Sequence, residues 1–119
     1  MAYIFDTYAI IEIIGGNSNY LSYLDENIII NDFIFAELCY VLFRKDYPNS
    51  DLYLEKYSKF IIKLQSDIIK DAMKFRNKYK KKRLSIPDCI SYFMAKDMGI
   101  KFLTGDKEFE GFEGVEFVK

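Results

Sequence analysis

The sequence predicts an α/β/α sandwich of three layers, built on a mostly parallel central sheet of four to five strands. Three observations predict it. Short β-branched or aromatic runs (Tyr3-Ile4-Phe5, Ile28-Ile29-Ile30, Lys101 to Thr104, Val115 to Val118) alternate with stretches that carry helix punctuation. Strands separated by helices imply crossover units and a sheet covered on both faces. Of the 119 residues, 50% are hydrophobic and 18% aromatic, enough to fill a core at this length. No repeat, low-complexity tract or linker interrupts the chain, so residues 1–119 are expected to form a single domain.

Each element has a local reason. Tyr3-Ile4-Phe5 is an apolar strand ending at Asp6-Thr7. Ala9 to Ile14 reads as helix, stopped by Gly15-Gly16. Asn19 to Leu24 suits a short second helix. Ile28 to Ile30 is the clearest strand, three β-branched residues bounded by asparagines. Phe33 to Phe43 is too long and apolar for a strand and reads as a buried helix that ends before Pro48. Leu52 to Phe60 predicts another helix, and Ile61 to Gln65 stays open between helix end and fifth strand. From Ser66 to Tyr79 the apolar spacing is amphipathic. Ser85 is the expected N-cap of the next helix, with Pro87 in its first turn and Gly99 as its stop.

Composition excludes several chemistries. There is no histidine, which removes histidine-based triads, histidine–zinc hydrolysis and imidazole acid–base work. Cys39 and Cys89 sit in apolar runs without metal-ligand spacing; both are expected as small core residues in a reducing cytoplasm. No apolar stretch reaches the roughly 18 residues that span a bilayer. The first apolar block lacks a basic segment before it and contains Asp6 and Glu12, so no cleavable signal is expected. With 17 basic and 18 acidic residues the net charge of −1 carries no message; its distribution does.

Four acids stand out. Asp6 is the only charge from Met1 through Ile11, Glu37 the only one from Phe33 through Phe43, and Asp88 the only one from Leu84 through Ala95. Asp106 follows a strand, in Leu103-Thr104-Gly105-Asp106. A lone carboxylate in an apolar block costs several kcal/mol unless it is paired or bound to a cation. These blocks hold no basic partner. Mg²⁺ and Mn²⁺ favour carboxylate and water ligands, and parallel sheets bind ligands beyond their carboxyl ends. Each acid also has a plainer reading: a helix cap for Asp6, a helix-dipole acid in a first turn for Asp88, a solvent-facing helix position for Glu37, an ordinary turn for Asp106. Their joint placement points to one shared site.

These residues also carry a resemblance. The chain resembles a PIN-domain ribonuclease of the VapC toxin family, through Phe5-Asp6-Thr7-Tyr8-Ala9-Ile10-Ile11, Ala36-Glu37-Leu38, Leu84-Ser85-Ile86-Pro87-Asp88-Cys89-Ile90 with Ala95 and Gly99, and Leu103-Thr104-Gly105-Asp106-Lys107-Glu108-Phe109. The resemblance spans Ile4 to Val118 and departs from the family pattern at Pro87 and Cys89. It implies a PIN-like sandwich and an endoribonuclease in which Asp6, Glu37, Asp88 and Asp106 hold Mg²⁺ or Mn²⁺ and serve as the catalytic acids. Thr7 and Thr104 then match hydroxyls that support those acids. It further implies an RNA substrate, a cognate antitoxin protein and a homodimer.

Seven basic residues crowd Lys74 to Arg83. Lys78, Lys80, Lys81, Lys82 and Arg83 are candidates for gripping RNA phosphates; a solvated helix end is the alternative. Two other classes stay open. One is a catalytically silent RNA- or protein-binding module of the same fold. The other is a phosphoacceptor receiver domain, which needs paired acids after its first strand and a lysine after its last; here Asp6 stands alone and Lys119 is the final residue.

Overall fold

The computed structural model describes residues 1–119. Four parallel strands, β1 (Ala2–Phe5), β2 (Asn27–Ile29), β3 (Lys101–Thr104) and β4 (Val115–Phe117), form one sheet in the order β2-β1-β3-β4. Five helices surround it: α1 (Thr7–Ile14), α2 (Asp32–Arg44), α3 (Ser50–Ser58), α4 (Ser66–Lys78) and α5 (Ile86–Met98).

Side chains alternate across each strand, and the two faces fill separate cores. Tyr3, Phe5 and Leu103 pack with Ile10 of α1, Ile34, Leu38 and Leu42 of α2, and Leu54 and Tyr57 of α3. Ile4 and Phe102 pack with Ala72 of α4 and with Ile90, Met94 and Ala95 of α5. The three layers follow from this alternation.

The structure corrects the reading of several segments. The open fifth strand shrinks to one bridge, in which Ile30 N–H donates to Phe60 O (3.0 Å) and Ile62 N–H donates to Ile30 O (2.9 Å). Asn19 to Leu24 is a 3₁₀ helix, Ser18–Tyr23. α2 is not buried all round. Ile34, Leu38 and Leu42 form its inner stripe at four-residue spacing, while Tyr40 and Phe43 stay exposed. An apolar run on a helix is buried only along the stripe that meets the sheet. α5 starts and stops as its caps predict: Ser85 Oγ accepts from Asp88 N–H (3.1 Å), and Gly99 takes the left-handed conformation (φ 69°).

The sheet order decides where a site can form. The chain leaves β1 toward β2 on one side and returns to β3 on the other. At such a reversal the connections diverge and open a crevice beyond the carboxyl ends of the strands. Asp6 follows β1 there, with its N–H donating to Leu103 O (3.1 Å), and Gly105-Asp106 follows β3.

Candidate active site: an acid-lined cleft at the sheet edge

A cleft of about 480 Å³ lies at this crevice, lined by Asp6, Thr7, Tyr8, Glu37, Asp88, Gly105, Asp106, Lys107 and Lys119. All four acids singled out in the sequence line it. Asp6 and Asp106 arrive from the ends of β1 and β3, Asp88 from the first turn of α5 and Glu37 from the middle of α2. A buried bond ties α2 to α5: Asn31 caps α2 by accepting from Ile34 N–H (3.0 Å) and donates through Nδ2 to Ser91 Oγ (3.0 Å). This fixes the helix that carries Glu37 against the helix that carries Asp88.

The acids are individually oriented. Asp6 is buried; its Oδ1 accepts from Ala9 N–H (2.7 Å), and its Oδ2 accepts from the Thr104 hydroxyl. Thr104 Oγ1 in turn accepts from Asp106 N–H (3.0 Å). Asp106 caps the 3₁₀ turn Lys107–Phe109 by accepting from Glu108 N–H (3.0 Å). Thr7 donates to Glu37 Oε1 (2.8 Å). Asp6 and Asp106 are thus caps as well as cleft residues, so the plainer readings hold alongside the shared placement.

Their charges are uncompensated. The three ion pairs of the protein involve Glu26, Glu108 and Glu116, and none involves these four acids. Burial raises the Asp6 carboxyl well above the ordinary range, and the charges of Asp88 and Asp106 raise it further, against the hydrogen bonds from Thr104 and Ala9. Burial, then the charge of Glu37, pushes Asp88 up to about 7. Desolvation and like charges both disfavour the anions; a cation among them reverses that. The donor set, all hard oxygen, fits Mg²⁺ or Mn²⁺. The carboxylates do not close into a compact three-ligand cluster, which suits an ion that keeps several waters.

Lys78, Lys80, Lys81, Lys82 and Arg83 do not line the cleft. They occupy the exposed end of α4 and the loop after it. Glu108 ties that loop to the Asp106 turn, accepting from Arg83 N–H (3.3 Å) and pairing with Lys82 Nζ (3.9 Å). Sequence reasoning gave no role to two lysines, Lys107 and Lys119, that the structure places in the cleft. Lys119 reaches it because β4 pairs with β3, which no local pattern around residue 119 reveals.

The fold is thus an all-parallel α/β sandwich with four carboxylates lining one cleft beyond its strand ends. The family model of the PIN domain matches residues 3–115. The chain belongs to the PIN domain family. No curated protein sequence matches it. Among solved structures it is similar to a toxin–antitoxin complex from Klebsiella pneumoniae (25% identity, TM-score 0.77, 96% of this chain and 95% of that one). It is also similar to VapC20 of Mycobacterium tuberculosis, described as a Sarcin-Ricin loop cleaving toxin (14% identity, TM-score 0.77, 100% of both chains). A third likeness is to VapBC2 from Rickettsia felis, bound to a DNA fragment from their promoter (15% identity, TM-score 0.73, 100% of both chains). At their identities the last two speak for the fold alone. No helix is long and apolar enough to cross a membrane.

Proposed function

We propose that residues 1–119 act as a single PIN domain that hydrolyses RNA phosphodiesters with Mg²⁺ or Mn²⁺, as the toxin of a type II toxin–antitoxin pair in the cytoplasm. The observation that carries this reading is the meeting of Asp6, Glu37, Asp88 and Asp106, none of them ion-paired, in one cleft of a PIN domain. These four residues would hold the cation. Such a cation supplies charge neutralisation at the phosphodiester and a lowered pKa for an attacking water. The protein's own part is orientation: Thr104 and Ala9 N–H hold the Asp6 carboxyl, and Thr7 holds Glu37. The exposed basic loop from Lys78 to Arg83, tethered through Glu108, is assigned to contacts with flanking RNA phosphates on its charge. A protein antitoxin and a second copy of the chain are the proposed partners. Exposed Tyr40 and Phe43 on α2 and Leu52 on α3 support a protein-covered surface.

The test is incubation of purified protein with single-stranded RNA in Mg²⁺, in Mn²⁺ and in EDTA, with the product ends mapped. We expect cutting only with metal, leaving a 5′ phosphate and a 3′ hydroxyl. Cutting that persists in EDTA would refute metal dependence, and 2′,3′-cyclic phosphate ends would mean attack by the RNA's own 2′ hydroxyl; either outcome would refute the assignment. The open spacing of the acids is also what a silent binding module of this fold would show; RNA binding without cutting in either metal would select that reading.

A further inference from the structure

Lys119 is held in place by more than its own side chain. Val118 N–H donates to Thr104 O (2.9 Å), the Tyr20 hydroxyl donates to Val118 O (2.6 Å), and Asn19 Nδ2 donates to Lys119 O (2.9 Å). These bonds fix the backbone beside the end of β3. The Lys119 ammonium donates to Gly105 O (3.0 Å) and lies 5.0 Å from the centroid of the Tyr8 ring. The arrangement needs a glycine at 105: a Cβ there would stand 2.1 Å from Tyr8 Cε1 and 2.7 Å from Val118 O.

The electrostatics are unusual for a lysine at an acidic cleft. Four carboxylates line the same cleft, yet Lys119 forms an ion pair with none of them. Its anchors are a neutral carbonyl and an aromatic face, which steady an ammonium without neutralising it. An ammonium has three N–H donors, and the Gly105 bond uses one. What remains is an ammonium with free donors, lining a cleft whose own acids would repel an anionic substrate.

We propose that Lys119 is a substrate-binding residue that engages a phosphodiester oxygen of the RNA in this cleft. The proposal rests on the ribonuclease reading above. A phosphodiester carries the single negative charge and bare oxygen acceptors that such a donor matches. The contact offsets the repulsion between the acids and the incoming backbone. Lys107 also lines the cleft but makes no side-chain hydrogen bond or aromatic contact that would fix it.

The experiment measures binding of a fluorescent single-stranded RNA by anisotropy in EDTA, from low to moderate salt, and kcat/KM for RNA cleavage in Mg²⁺. Lys119→Gln keeps a donor for Gly105 O and removes the charge. We expect about tenfold to a hundredfold weaker binding at low salt and a similar fall in kcat/KM, from loss of one charged hydrogen bond. The slope of log K against log salt is expected to shrink by about 0.7, the value for one phosphate contact on a single strand. Lys119→Arg should restore most of both effects, and Lys59→Met, on an exposed lysine after α3, should change neither. An unchanged salt slope in Lys119→Gln, or an equal loss in Lys119→Arg, overturns the assignment of Lys119 while wild-type cutting leaves the ribonuclease reading standing. Wild-type protein that neither binds nor cuts RNA overturns both.

Discussion

Asp88→Asn is expected to lower RNA cleavage about a hundredfold or more and, at the same time, to raise the melting temperature of the metal-free protein at neutral pH. Both effects come from one cause. Burial, Glu37 and Asp106 push the Asp88 carboxyl up to about 7, against about 4 in an unfolded chain. The fold therefore favours the protonated acid. That contribution to stability is complete below about pH 4 and is lost as pH rises toward 7, an effect on the order of 3 kcal/mol over the range. Asp6, raised in the same direction by burial and by Asp88, adds to it. Asparagine mimics the neutral acid in shape and stays neutral, and the bond from residue 88 N–H to Ser85 Oγ uses only the backbone of residue 88 and survives. Melting curves in EDTA between pH 4 and 7 should thus fall steeply for the wild type and much less for the variant. In Mg²⁺ the advantage passes to the wild type, which cuts RNA far faster, because a neutral amide is a poor ligand for a hard cation. A flat wild-type profile, or a variant that melts lower at pH 7, would show that these acids are not held at a cost.

Gly105→Ala is expected to destabilise the protein by about 2–3 kcal/mol, the upper part of the range for overpacking, or a drop in Tm of about 10 °C at this size. The reason is space. The added Cβ would lie 2.1 and 2.6 Å from two carbons of the Tyr8 ring and 2.7 Å from Val118 O. The ring can swing away. The carbonyl cannot, because the Tyr20 hydroxyl donates to it and Val118 N–H is bound to Thr104 O. Since Tyr8, Gly105 and Lys119 all line the cleft, activity should fall with stability. Calorimetry of Gly105→Ala with and without Tyr8→Ala divides the clash: the second change should recover only the ring's share. A single variant as stable as the wild type would show that the approach of β4's end to Gly105 is looser than described.

What the sequence revealed of this site depended on local grammar. Asp6, Asp88 and Asp106 sit at strand ends and helix starts, where capping residues and glycines mark the boundaries, so their positions at the sheet edge were legible. Glu37 was legible through its isolation in an apolar run and through the Ala36-Glu37-Leu38 resemblance, not through any cap or strand end. That same run misled about burial, because Tyr40 and Phe43 have the hydrophobicity of core residues but occupy the outer side of α2. Ile61 to Gln65 stayed ambiguous because a one-residue bridge to Ile30 leaves no periodic trace. Tyr8 and Lys107 enter the cleft beside Asp6 and Asp106, while Lys119 enters it through tertiary pairing. For Lys119 the determining fact is the register Thr104–Phe117 between β3 and β4, which is set by packing along the whole strand and not by its neighbours in sequence. The basic run was visible as charge, but its tether to Glu108, residues away in sequence and beside Asp106, was not.

The central claim is that Asp6, Glu37, Asp88 and Asp106 form a divalent-cation site. Crystals grown with millimolar Mn²⁺ test it most directly, through the anomalous difference map. The account predicts a strong peak within the cleft, within about 2.3 Å of oxygens from at least two of these carboxylates, with water completing the coordination shell. No peak in the cleft, or Mn²⁺ bound only at surface carboxylates elsewhere, would contradict it.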